Sequence, residues 1–121
     1  MNIDAAVFLR DVWTILIVRR NGRSPAAEHI AGLATPAREK VLRLLVRVTS
    51  DGPPANVQQN RKLDAHIWEL KSGQTRILYF IEDSRVIVLT HGFTKKQQKL
   101  PRRELERAQR LRAEYIESRS R

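Results

Sequence analysis

The chain has 121 residues, the length of one compact domain, and we expect a single domain over residues 1–121. It contains no cysteine, which excludes a disulfide framework, a thiolate metal site and a cysteine nucleophile, and which fits a cytoplasmic location. There are 23 basic and 13 acidic residues, and residues 91–121 alone hold 10 basic and 4 acidic ones. A positive field of this kind favours a polyanion or an acidic protein as partner.

The first half of the chain predicts one strand followed by two helices. Residues 12–18 are rich in β-branched side chains, which is typical of a strand. The pairs Ser-Pro at 24–25 and Thr-Pro at 35–36 each join an N-cap residue to a proline in the first helical position, so each predicts a helix start. The first helix is expected to end near Gly32, and the second, with its apolar stripe, just before Gly52.

The second half predicts three short strands and a final helix. A polar loop over residues 55–65 comes first, and the elements after it are expected at residues 66–70, 75–81 and 85–90 for the strands and 101–118 for the helix. Strands and helices do not alternate, so the pattern predicts an α+β domain with helices packed on a mostly antiparallel sheet. Residues 77–81 are apolar on both faces, which indicates an interior strand covered on its second face by the last helix.

Several common functional motifs are absent from the sequence. There is no glycine-rich phosphate loop, no His-Glu-x-x-His and no Gly-x-Ser-x-Gly. The histidines His29, His66 and His91 are widely spaced and predict no metal site, and we expect no cofactor. The longest apolar runs are far too short to span a bilayer, so we expect no membrane partner.

The stretch IWELKSGQTRILYF, followed by IVLTHGFTKKQQKLPRRELERA, lies within residues 67–108. A Trp-Glu-Leu strand leads through a short turn to an arginine, and a His-Gly-Phe strand end leads through lysines and a proline to a basic helix. This order resembles the phage-derived RelE-like toxins, close to HigB. The resemblance implies the RelE/ParE fold, in which two N-terminal helices pack on a curved, mostly antiparallel sheet, here with a C-terminal helix. It also implies the toxin of a type II toxin–antitoxin system that cuts messenger RNA, usually on the ribosome.

Metal-free RNA cleavage uses the ribose 2′-hydroxyl as nucleophile, and fixed cations can stabilise the charge that develops on the phosphoryl oxygens. The resemblance places a phosphate-binding arginine at Arg76; the alternative is a strand-end arginine paired with Glu69 or Glu82. Lys95 and Lys96 follow the next strand and are further catalytic candidates, or else two solvated lysines of a loop.

His91 is the candidate proton carrier near these cations, and alternatively a residue that stabilises the turn before Gly92. At the position of Glu69 the best-known RelE pattern has a lysine, so Glu69 is either catalytic or orients Arg76. Additional RNA-binding candidates are basic residues around the same strands, namely Lys71, Lys99, Arg61 and Lys62.

The expected partners are messenger RNA, bound on the ribosome, and a cognate antitoxin, a helix-turn-helix protein with an acidic segment that covers the basic C-terminal part. Two other functions stay open at this point. A ParE-like protein would inhibit DNA gyrase without cutting RNA, and a basic nucleic-acid-binding module would have no catalytic activity.

Overall fold

The computed structural model describes residues 2–120, and over this range one six-stranded sheet carries three helices. In chain order the elements are β1 (Ile3–Arg10), β2 (Thr14–Arg20), α1 (Pro25–Ala31), α2 (Thr35–Asp51), β3 (Asn60–Lys62), β4 (Trp68–Ser72), β5 (Thr75–Asp83), β6 (Val86–Thr94) and α3 (Arg102–Arg119). The strand order across the sheet is β1-β2-β6-β5-β4-β3. All neighbours are antiparallel except β2 and β6, which are parallel, so the α+β class is confirmed and the sheet is mixed.

The three expected helices are present. The predicted Ser24 cap is confirmed, whereas Thr35 is the first residue of α2 rather than its N-cap, which is Ala34 and forms no side-chain cap hydrogen bond. The Ser24 hydroxyl accepts a hydrogen bond of 3.1 Å from the backbone N–H of Ala27, and proline follows it at the start of α1. Helix α2 ends at Gly52, whose φ of +83° favours glycine and whose Cα packs against the Trp13 ring. No helix within residues 2–120 combines the length and the apolar character needed to cross a membrane.

The strand predictions need three corrections. Strand β1 was not predicted; it is an edge strand whose half-buried side chains include two alanines. Strand β3 was not predicted either; it is a three-residue polar strand inside the expected loop. The last strand was predicted to end at Thr90, whereas β6 continues through Thr94. His91 therefore stays inside the sheet, where backbone pairing with β5 holds it.

Each face of the sheet has its own apolar core. Helices α1 and α2 cover one face, where the cluster includes Ile30, Leu45 and Tyr79. Helix α3 covers the other, where the cluster includes Phe80 and Leu111. The interior position expected for residues 77–81 is confirmed, because β5 pairs with β4 and β6 and its side chains enter both cores.

A β-bulge at Thr90 decides which face the end of β6 presents. Leu89 pairs with Tyr79 and His91 pairs with Leu78, so Thr90 is the extra residue, and its hydroxyl donates to the Leu78 carbonyl over 3.1 Å. A bulge of this kind shifts the alternation of side chains by one residue. It turns His91 toward the α3 face.

Gly92 consequently faces helix α1, where there is no room for a side chain. A Cβ at Gly92 would lie 2.7 Å from Cδ1 of Ile77 and 2.9 Å from Cδ2 of His29. The next residue, Phe93, returns to the α3 face and packs in that core. The His-Gly-Phe sequence thus fits a strand squeezed between α1 and α3.

Candidate functional site

Four polar side chains from three neighbouring strands lie on the α3 face of the sheet. Register brings them together: Arg61 pairs with Glu69, and Lys71 pairs with Arg76. Glu69 also pairs with Leu78, a member of the α3-side core, and alternate residues of a strand share a face. The group therefore lies on one face at the β3–β4–β5 side of the sheet.

Glu69 is the centre of this group and is completely buried. Its carboxylate oxygens lie 3.6 Å from Nη2 of Arg61 and 4.0 Å from Nε of Arg76. Neither oxygen accepts a hydrogen bond from the residues that the structure describes. Because a buried carboxylate is costly without compensation, the two guanidinium groups stabilise its charge and Glu69 in turn holds them at this face.

Arg76 has the more restrained of the two guanidinium groups. Its side chain is 12% exposed, against 43% for Arg61. Its Nη1 donates to the carbonyl oxygens of Gly73 at 2.7 Å and Thr75 at 3.1 Å, both at the β4–β5 turn. Of the two partners considered from sequence, Glu69 is the neighbour. A guanidinium fixed in this way is suited to bind a phosphate with little reorganisation.

Lys71 and Lys95 extend the positive charge around Arg76. The Lys71 ammonium donates to the Val57 carbonyl over 3.1 Å, and the backbone N–H of Lys95 donates to the carbonyl of Gln74 at the β4–β5 turn over 2.8 Å. Burial lowers the pKa of Lys71, and the nearby cations Arg61, Arg76 and Lys95 lower it further, against the opposing effect of Glu69. We call Arg61, Lys71, Arg76, Lys95 and the central Glu69 the cation cluster.

The side chains of three other basic candidates form no hydrogen bond or ion pair with the cation cluster among the described residues. Lys96 and Lys99 are exposed in the segment between β6 and α3. Lys62 is next to Arg61 in sequence, so it points to the opposite face, where its ammonium lies 5.7 Å from the centre of the Trp68 ring.

His91 is completely buried under the first turn of α3. Its Nε2 lies 3.1 Å from Oε1 of Glu104, and its Nδ1 lies 3.3 Å from the Thr90 hydroxyl. Burial lowers the pKa of His91 to about 3, with smaller contributions from cations that include Arg107. The turn before Gly92 that His91 was expected to stabilise is absent, because β6 continues through both residues. The placement favours a different structural role, in which a neutral ring donates its Nε2–H to Glu104 and fixes α3 on the sheet.

The sequence analysis missed a second basic surface on α2. Lys40, Arg43 and Arg47 are exposed and line one groove together with Lys71. The signal was present as a spacing of three and four residues, which places the three cations on one side of a helix. Within residues 2–120, no group of three or more histidine, aspartate and glutamate side chains is placed to hold a metal ion.

Over residues 28–113 the sequence matches the family described as phage-derived protein Gp49-like (DUF891), and the chain belongs to this family. The phage-derived part of the predicted resemblance is therefore confirmed, while the HigB type stays a prediction. No curated protein matches the sequence.

The chain is similar to several solved structures, among them the following two. One is the toxin–antitoxin complex RelBE2 of Mycobacterium tuberculosis, with 15% identity and a TM-score of 0.48 over 60% of this chain and 91% of that one. The other is the isolated RelE toxin of Escherichia coli, with 17% identity and a TM-score of 0.46 over 71% of this chain and 89% of that one.

Proposed function

We propose that the protein is the toxin of a type II toxin–antitoxin pair and an endoribonuclease that cuts messenger RNA on the ribosome without a metal ion. The observation that carries this proposal is the cation cluster. Three strands bring Arg61, Lys71 and Arg76 around one buried carboxylate, and the segment after β6 adds Lys95 beside Lys71. Such a group of fixed cations suits the stabilisation of extra negative charge on a phosphate.

In the proposed reaction, the ribose 2′-oxygen attacks the adjacent phosphorus and the bond from phosphorus to the 5′-oxygen breaks. Arg76, held by the turn carbonyls, binds the phosphoryl oxygens, with Lys95 and Arg61 beside it. Lys71 takes the proton-carrier role considered for His91: its ammonium gives a proton to the departing 5′-oxygen, while the proton of the 2′-hydroxyl passes to solvent, from which Lys71 is protonated again. The lowered pKa of Lys71 makes its ammonium a better acid for this step. Glu69 is a positioning residue for the guanidinium groups.

The proposed partner is an antitoxin that restrains this activity in the cell. We expect it to be a helix-turn-helix protein with an acidic segment. Residues 91–121 hold 10 basic and 4 acidic residues, and Lys96 and Lys99 are exposed close in sequence to Lys95. An acidic segment bound here would neutralise the field that attracts RNA. Association driven by charge would be fast and sensitive to salt.

The proposal is tested by adding the purified protein to a reconstituted translation reaction and mapping messenger ends by primer extension. We expect discrete cuts whose positions follow the codon in the ribosome. A gyrase inhibitor would leave the message intact and change DNA supercoiling in a parallel assay. A binding module would leave both intact, and either result would contradict the proposal.

The chemistry also predicts the ends of the products. We expect a 2′,3′-cyclic phosphate or 3′-phosphate on one fragment and a 5′-hydroxyl on the other, because the nucleophile is the 2′-oxygen. On an RNA that does not itself need magnesium, cleavage should continue in excess chelator. Labelling of the new 5′ ends by a kinase without phosphatase treatment checks this, and 5′-phosphate ends would point to a metal-activated water instead.

A further inference from the structure

A groove between α2 and the loop before β3 has no part in the proposed reaction. It has a volume of about 690 Å³ and is lined on one side by α2 and on the other by residues of the 56–59 loop and the β4–β5 turn. Lys40, Arg43 and Arg47 form its α2 wall, and its lining contains no acidic residue. The side chains of these three cations form no hydrogen bond or ion pair with another residue in the part of the chain that the structure describes.

The lining fits a phosphate backbone better than a protein segment. A bound amphipathic helix needs several apolar anchor sites, and the cores of protein interfaces are poor in lysine. The groove offers one apolar side chain, Leu44, which is itself buried against the α2 core, and otherwise amides and cations. The cations from Lys40 to Arg47 span about 10 Å along the helix, enough for about three phosphates of a stacked strand.

The groove is continuous with the cation cluster through Lys71. This residue lines the groove, donates to the Val57 carbonyl in the groove loop, and is within electrostatic range of Arg61, Arg76 and Lys95. Lys40 lies at the same turn, because its ammonium is 3.8 Å from the position that a Cβ on Gly73 would take. A strand whose phosphate reaches Arg76 on the α3 face can thus pass Lys71 round the β4–β5 turn and continue along α2 on the other face.

We propose that Lys40, Arg43 and Arg47 form a binding track for the phosphate backbone of the RNA that flanks the cleaved position on the same strand. This inference rests on the proposed function for the meaning of the cleaved position, but binding to the track is measurable without cleavage. The track contributes affinity that is independent of base sequence and falls with salt.

The test is fluorescence anisotropy with 2′-O-methyl oligoribonucleotides, which lack the attacking hydroxyl. One probe is short, about 4 nucleotides, and one is long, about 15 nucleotides, to reach from the cluster along the groove. The triple variant Lys40→Gln/Arg43→Gln/Arg47→Gln is compared with the control triple Arg10→Gln/Arg23→Gln/Arg85→Gln, which removes the same charge from exposed positions outside the groove and outside residues 91–121. Circular dichroism verifies that both fold.

For the long probe, we expect the groove variant to reduce the slope of log affinity against log salt by roughly two, at about 0.7 for each phosphate that the variant no longer neutralises. The short probe and the control triple should keep the wild-type slope. Equal slopes for the two triples would overturn the proposal. So would a groove variant that binds polyglutamate more weakly and RNA as tightly as before, since the groove would then bind an acidic protein.

The two proposals fail in different ways. If the wild-type protein cuts no message in translation reactions while the slope still changes, the track is supported and the proposed enzymatic function is wrong. If the groove variant binds like the control and Arg76→Lys alone stops cleavage, the function is supported and the track is wrong.

Discussion

Replacement of Arg76 by lysine is expected to slow RNA cleavage by about 10²–10³-fold, the usual effect of losing one preorganised donor to a developing oxyanion. Lysine keeps a positive charge near buried Glu69, but its single nitrogen lacks the planar fork with which arginine holds the turn carbonyls through Nη1 and presents its other N–H groups to a phosphate. The rate of codon-linked cutting in the translation reaction measures this effect. Thermal unfolding should show that the variant stays folded.

Arg76→Ala, together with a double variant, distinguishes the role of Arg76 in cleavage from its role in the stability of the fold. It leaves Glu69 buried with Arg61 alone, at 3.6 Å, and we expect a loss of unfolding free energy on the order of 3 kcal/mol in addition to the loss of cleavage. The double variant Glu69→Gln/Arg76→Ala should recover much of the stability without recovering cleavage. Arg10→Ala is the matched control, since Arg10 is exposed on β1. A folded Arg76→Lys protein that cuts at the wild-type rate would refute the assignment.

Acidification should destabilise the protein well before its carboxylates titrate. The unfolded chain protonates His91 near its ordinary pKa of 6.5, while burial keeps the folded histidine neutral down to about pH 3. The unfolded state therefore binds more protons in this window, and the unfolding free energy falls as pH decreases. The loss is roughly one kcal/mol per pH unit and reaches several kcal/mol. Urea unfolding between pH 7 and about pH 4 measures it.

Variants show which histidine causes the pH dependence of the unfolding free energy. His91→Gln should make the unfolding free energy depend less on pH. His29→Gln should reduce this pH dependence by a smaller amount, because burial lowers the pKa of His29 while Glu104 opposes that shift. His66→Gln is the control, since His66 is exposed in the loop before β4. If instead the wild-type protein becomes more stable on acidification, His91 forms an ion pair with Glu104 in the folded state, and the neutral assignment is wrong.

The sequence predicted those parts of the fold that local chemistry determines. Ser24 with Pro25 marked the start of α1, the Thr-Pro pair at 35–36 marked the start of α2 to within one residue, and the apolar run at residues 77–81 marked the central strand. Strand β1 was not predicted because an edge strand needs little apolar alternation. Strand β3 was not predicted because its three polar residues adopt a strand only by pairing with β4. The bulge at Thr90 depends on a tertiary hydrogen bond and has no local signature.

For the site, the sequence indicated which residue types are candidates, but it could not show which of them are buried or which face they point to. Arg76, Lys71, Arg61 and Lys95 were named as candidates; the first three lie around Glu69, and Lys95 lies near Lys71. The sequence could not show that His91 faces α3, because the bulge sets that direction. It also could not show that cations on α2 border Lys71, since they are about thirty positions away and meet only through the packing of α2 beside the β4–β5 turn.

The parallel pairing of β2 with β6 has a consequence for how the molecule is assembled during synthesis. Thr14 and Val86 are partners although more than 70 positions separate them, whereas β4, β5 and β6 are joined by tight hairpins. Closing so long a loop costs entropy that only completed contacts repay, so the local meander is the natural nucleus and the N-terminal hairpin docks on it afterwards. Glu69, Lys71 and Arg76 belong to that meander and Lys95 follows it directly, so a nascent chain gathers these charges before its sheet is complete.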